Sequence, residues 1–101
     1  MLTKMQIEGS KARIELNGRF DFSAHRTFRE SYTASLETRD VSELEVDLGG
    51  VDYLDSSALG MLLMLREKAQ AANKTVTLSN CRGPVRQVLD IANFAKLFAI
   101  R

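Results

Sequence analysis

The sequence predicts an α/β domain: a mixed β-sheet of four to five strands that opens with an antiparallel hairpin, with three to four helices packed against it. Three observations predict it. Two short stretches near the start alternate apolar and polar residues, the period of half-buried strands. Two later runs, 44–48 and 75–79, read the same way and are set apart by apolar stripes at helical spacing. A hairpin followed by alternating helices and strands is the order in which crossover helices cover a sheet.

The elements follow from local chemistry. Met5 and Ile7 alternate with Gln6 and Glu8, and Ala12, Ile14 and Leu16 with Arg13 and Glu15, which predicts two half-buried strands. Gly9-Ser10 between them suits a tight hairpin, because glycine takes the positive φ such a turn needs. Gly18 is expected to end the second strand. Phe20 and Phe22 flank Asp21 and are both expected to anchor that turn in the core. Ser23 is the expected cap of a helix whose stripe is Ala24, Phe28, Tyr32 and Leu36. In the run 44–48, Glu45 and Asp47 alternate with Leu44, Val46 and Leu48, and Asp47 is assigned a structural role. Gly49-Gly50 is expected to loosen the exit from this strand.

A helix starting at Ser56 is expected to reach about Ala72, with Ala58, Leu62, Leu65, Ala69 and Ala72 on one stripe. Its first half is apolar nearly all round. Leu62 and Leu65 are expected to point inward, and Met64 with its neighbours around Gly60 toward a partner. The run 75–79 is a β-branched strand, and Pro84 fits the first turn of a helix carrying Val85, Val88, Leu89 and Ala92. The apolar ending 97–100 reads as strand or short helix.

The totals bound the function. A chain of 101 residues is read as a single domain, 1–101. It is 45% hydrophobic and 27% charged, with a formal net charge of +1, so it lacks the broad basic face of a nucleic-acid binder. One cysteine, Cys81, allows no internal disulfide, and with one histidine, His25, no metal site is expected. The longest apolar run, 58–65, is far short of a membrane span, and a soluble cytoplasmic protein is expected. No Gly-x-Ser-x-Gly elbow and no phosphate-binding loop of the Gly-x-x-x-x-Gly-Lys type is present, so an enzyme reading finds no machinery.

The stretch 51–65 organises the rest. Asp55, Ser56 and Ser57 precede the apolar helix, and such residues satisfy backbone N–H groups left unpaired in a first helical turn. Two hydroxyls thus lie at the positive end of a helix, where added negative charge is favoured. By itself an Asp-Ser-Ser triplet before a helix is most often a cap and nothing else.

Context changes that balance. Val46-Asp47-Leu48, Val51 and Leu54-Asp55-Ser56-Ser57-Ala58-Leu59-Gly60 closely resemble the signature of STAS domains, and within them that of bacterial anti-sigma factor antagonists. Leu16-Asn17-Gly18-Arg19-Phe20-Asp21 resembles the strand, glycine and acidic turn near the amino terminus of that family. The resemblance implies a STAS-like sheet, a phosphoacceptor at Ser56, Asp21 in the docking surface near it and Asp55 orienting the turn; with Ser57 and the helix-start patch at Gly60 and Met64, these residues form the expected docking surface. It implies as partners an anti-sigma factor or a serine kinase of the histidine-kinase-like ATPase fold, with a serine phosphatase reversing the modification. The kinase brings ATP and magnesium, so no cofactor is expected of this chain. Two departures stand out: Ala58 where many members have glycine, and Arg19-Phe20 in place of an acidic-aliphatic pair. The same apolar helix face also suits a second role, that of a STAS accessory subunit docked permanently on a lipid-transport ABC ATPase.

Overall fold

The computed structural model describes residues 1–101. Five strands form one sheet in chain order: β1 (Leu2–Glu8), β2 (Lys11–Phe20), β3 (Glu43–Leu54), β4 (Thr75–Ser79) and β5 (Ala99–Ile100). β1 and β2 pair antiparallel around Gly9, whose φ is +60°, and every later neighbour is parallel. The parallel connections run through α1 (His25–Glu37), α2 (Ser56–Ala71) and α3 (Gly83–Ile91), with short 3-10 turns at Phe22–Ala24 and Phe94–Lys96.

Register turns the alternation of the sequence into two faces. Ala12, Leu44 and Val76 lie side by side across β2, β3 and β4, as do Ile14, Val46 and Leu78. All of these but the half-buried Val76, which packs against it, belong to one buried cluster with Phe28 and Tyr32 of α1, Leu62 and Leu65 of α2, and Val85 and Leu89 of α3. All three helices therefore cover the same face, and the molecule is a two-layer sandwich. Aromatic contacts tie α1 to the sheet: the Phe20 and Phe28 rings lie 5.0 Å apart, and Phe28 meets Tyr32 edge-on at 5.2 Å.

The opposite face has no helix, and its side chains pair with one another. Lys11 and Arg13 of β2 reach Glu45, Arg13 also bonds Asp47, Ser79 donates to Glu45 at 2.7 Å, and Thr77 donates to Glu43 at 3.1 Å. Asp47 further accepts from the Gly49 N–H at 2.8 Å and from the Asn80 amide at 2.9 Å. Both central acids titrate below their ordinary range. The Lys11 hydrogen bond holds the Glu45 carboxyl down, with Ser79 and Arg13 helping against burial. Burial pushes the Asp47 carboxyl up, but Asn80, the Gly49 N–H and the Arg13 charge together outweigh it.

Several expectations need correction. β1 is not half-buried: it is an edge strand, and Met5 and Ile7 are 37% and 47% exposed. β2 does not stop at Gly18 but passes through it with φ +105° and shifted register, reaching Phe20. β3 is far longer than 44–48, because Gly49 and Gly50 stay in the sheet instead of loosening it. Gly50 is required there: a Cβ on it would fall 1.9 Å from the Asn17 side-chain oxygen and 2.9 Å from the Leu16 carbonyl. Ala72 caps α2 at its end and is exposed.

Two isolated features complete the core. The Lys74 ammonium is buried and donates to the backbone carbonyls of Thr38, at 2.6 Å, and Val41, closing the carboxyl end of α1. The Ser35 hydroxyl, inside α1, is buried with no hydrogen-bond partner. Ser35→Ala removes an unsatisfied polar atom and adds helix propensity, so it should leave the fold unchanged or stabilise it by about 1 kcal/mol in urea unfolding. Because the folded pKa values of Glu45 and Asp47 lie below the unfolded ones, their contribution is complete above the unfolded values and fades as pH falls through the folded ones. Stability measured from about pH 5 down to about pH 2 should therefore decline, and Asp47→Asn should start lower at neutral pH and decline less steeply.

Candidate functional site

Residues Phe20 and Leu54 are partners at the carboxyl ends of the parallel strands β2 and β3, so the two acidic turns that follow leave from the same end of the sheet. In the first, Asp21 accepts from the Ser23 N–H at 3.0 Å, the Ser23 hydroxyl at 2.5 Å and Arg19 Nε at 3.3 Å. The Ser23 hydroxyl bond, supported by Arg19, keeps the Asp21 carboxyl below its usual range against burial. In the second, Asp55 is the cap residue of α2 and accepts from the Ala58 N–H at 3.1 Å. The Asp55 backbone N–H also donates to the Phe20 carbonyl at 3.4 Å, tying the two turns together.

Ser56 is the first residue of α2 and is exposed, while Ala58 two residues later is fully buried. Only the Ala58 N–H of this turn is taken by Asp55, and first-turn N–H groups have no acceptor within the helix. Ser57 lies about 100° further around the helix and faces a groove of about 310 Å³ between α1 and α2. One wall of the groove is Phe22, His25, Phe28, Arg29 and Tyr32; the other is Ser57, Gly60, Met61 and Met64. His25, Phe28, Arg29 and Tyr32 form one stripe of α1, extended by Phe22 from the preceding 3-10 turn, and Ser57, Gly60, Met61 and Met64 form one stripe of α2. A Cβ added at Gly60 would meet nothing within 4 Å, so this glycine keeps the groove open and is not demanded by the fold.

The family model described as Mlab, STAS domain matches residues 3–99. The chain belongs to the STAS domain family. A STAS-domain containing protein of Pseudomonas aeruginosa (strain UCBPP-PA14) is 46% identical over 93 residues, covering 92% of this chain and 90% of that protein. Among solved structures, an anti-sigma factor antagonist from Mycobacterium paratuberculosis matches with a TM-score of 0.85 at 20% identity, over 98% of this chain and 83% of the other. The Bacillus anti-sigma factor antagonist SpoIIAA matches in both states. Its unphosphorylated form gives a TM-score of 0.75 at 18% identity, over 99% of this chain and 87% of SpoIIAA. Its phosphorylated form gives 0.74 at 17% identity, over 99% and 91%. The sheet of this STAS domain, with its opening hairpin and three helices, is the fold those antagonists share.

The sequence-derived residues separate into two groups in this STAS domain. Asp21, Asp55 and Ser56 lie on the turns at one end of the sheet, whereas Ser57, Gly60 and Met64 line the groove. Two expectations fail at the first turn. Ser23 does not cap α1; Asp21 caps the 3-10 turn that precedes it, and Ala24 is the residue before the helix. Phe20 is fully buried, but Phe22 is 76% exposed and does not anchor the turn.

Phe22, His25, Arg29 and Tyr53 are residues that the sequence reading did not assign to the site. Tyr53 is exposed beneath the Arg19 guanidinium, which sits 4.1 Å from the ring centroid while also bonding Asp21. The Arg19 departure from the usual family pair thus has a local consequence: it neutralises one of the two turn carboxylates. His25, Phe28, Arg29 and Tyr32 recur at helical spacing on α1, and that signal was present in the sequence. No cluster of three His, Cys, Asp or Glu side chains that could hold a metal ion occurs.

Asp55 is the only side chain bonding a backbone N–H in the first turn of α2. Asp55→Ala should lower stability by about 1 kcal/mol, while Asp55→Asn should lose much less, as read from thermal or urea unfolding.

Proposed function

We propose that this STAS domain is an anti-sigma factor antagonist whose binding is switched by phosphorylation of Ser56. The observation that carries the reading is the exposed Ser56 hydroxyl at the first position of α2, between the Asp55 cap and the groove walled by Ser57, Gly60 and Met64. A kinase can reach such a hydroxyl without opening the core. The phosphate, carrying about −1.5 to −2 charges at pH 7, would sit where the helix end offers unpaired N–H groups. The fold therefore tolerates it. That SpoIIAA matches this chain equally well in its unphosphorylated and phosphorylated forms supports a switch without rearrangement of the sheet.

Release of the partner follows from the surroundings. In an interface the new charge must be desolvated beside the Asp55 cap, an acidic side chain with no salt-bridge partner, whereas Arg19 offsets the Asp21 carboxylate. A penalty of about 3 kcal/mol weakens association by more than about a hundredfold. In the unmodified state the partner, an anti-sigma factor or a serine kinase of the histidine-kinase-like ATPase fold, docks on the two acidic turns. It places apolar side chains in the groove against Phe22, Met61 and Met64. A serine phosphatase restores the binding form. The chain itself contributes a surface and a hydroxyl and performs no catalysis.

Incubation with the cognate kinase and ATP, followed by mass spectrometry, should place one phosphate on Ser56. Ser56→Ala should bind the partner at least as tightly as the unmodified protein, and Ser56→Asp more weakly by about tenfold or more. Gly60→Leu should fold normally, because the added side chain has room, yet lose the partner by filling the groove. Phosphate on another residue, or equal binding by the serine variants, would overturn the switch. Constant binding to a transport ATPase regardless of Ser56 would instead establish the accessory-subunit role.

A further inference from the structure

The sheet ends on two unlike edges. β5 contributes only Ala99 and Ile100, whereas β1 presents seven residues whose outer backbone groups have no strand beside them. An open edge of that length is a template for strand addition. On the helix side, β1 carries Thr3, Met5 and Ile7, opposite Leu16, Ile14 and Ala12 of β2. Met5 and Ile7 stay substantially exposed although their β2 partners are fully buried. On the other side lie Lys4, Gln6 and Glu8, all exposed.

We propose that β1 pairs antiparallel with β1 of a second copy of this chain, about a two-fold axis through Gln6, making one continuous sheet from two domains. The charge pattern selects this register. Antiparallel partners sit on the same face of a sheet, so the two helix layers stay on one side only when the axis passes through a residue. With the axis at Gln6, Lys4 faces Glu8 of the second copy, and the symmetry repeats that pair. Met5 then faces Ile7 of the second copy on the helix side, also twice, and Gln6 faces its own equivalent. An axis at Lys4 would oppose two lysines, and one at Glu8 two glutamates. An axis at Met5 would put Glu8 against Leu2, and one at Ile7 would put Lys4 against Ser10. The Gln6 register alone matches both the charged and the apolar positions, which is the self-complementarity a two-fold interface demands.

This contact is independent of the phosphorylation switch. Lys4 to Glu8 pair with Glu15 to Lys11, the amino-terminal half of β2, whereas the Ser56 turn follows the Phe20–Leu54 pair at its other end. Two copies joined through β1 keep both switch surfaces free, so the dimer presents two docking sites to partners. A single strand pair buries less than a standard interface of about 1,600 Å². Dissociation in the high micromolar range is therefore expected.

Sedimentation equilibrium of the full chain over a concentration series reads the association directly. Lys4→Glu and Glu8→Lys, each placing two like-charge pairs in the contact, should weaken it by about tenfold. The combined Lys4→Glu/Glu8→Lys variant should restore it, and raised salt should weaken the wild type. Thermal unfolding of each variant checks that the fold is intact, and Ser56→Asp should associate like the wild type. A monomer at every concentration, a dimer indifferent to the single reversals, or failure of the double variant to recover would overturn the proposal.

Discussion

A sheet whose strands lie in chain order, joined by parallel crossovers of one hand, must carry all its helices on one side. That constraint shapes everything else in this domain. It gathers the apolar residues of β2, β3 and β4 beneath α1, α2 and α3 in a single cluster, and leaves the reverse of the sheet bare. A bare central strand cannot be apolar, so β3 turns Glu45 and Asp47 outward. The surrounding Lys11, Arg13, Ser79 and Asn80 satisfy them. The same arrangement makes α1 and α2 neighbours, and the groove is the seam between them.

The seam and the acidic turns are products of one sequence choice, the close registry of β2 with β3. Their last paired residues, Phe20 and Leu54, release the chain at the same level into Asp21 and Asp55. Each aspartate then organises its own turn by accepting backbone N–H groups from residues ahead of it. A hydroxyl placed immediately after the second cap is held by helix geometry, while its exposure is set by Ala58, which takes the buried position instead. The alanine that departs from the usual family glycine is therefore a core residue here, and its extra methyl is fully enclosed.

Alternation and helical spacing were enough to read the sheet, the apolar stripes of α1 and α2, and the cap at Asp55. Three features were not legible, each for a physical reason. Period-two alternation says which side of a strand is apolar, not whether a helix reaches far enough to cover it, so β1 read as half-buried. Paired glycines usually mark a break, yet Gly50 is retained by the close approach of Asn17, a long-range contact no local window contains. Phe20 ends β2 and points into the core, whereas Phe22 opens the 3-10 turn that follows and is left exposed, a difference no local apolar pattern encodes. The groove itself was half legible: Gly60 and Met64 drew attention on α2, while on α1 Phe28 and Tyr32 were read only as core and not as the facing wall.

Cys81 is the sole sulfhydryl, lies buried between β4 and α3, and has its pKa pushed up to about 11 by that burial. In the native chain it is a protonated, shielded thiol and so a poor nucleophile toward alkylating reagents. A cysteine engineered on the groove rim would consequently be the single site of rapid maleimide attachment, with no need to remove the native one. The slow modification of Cys81 would meanwhile clock transient opening of the α3 end, giving a built-in reference channel within the same molecule.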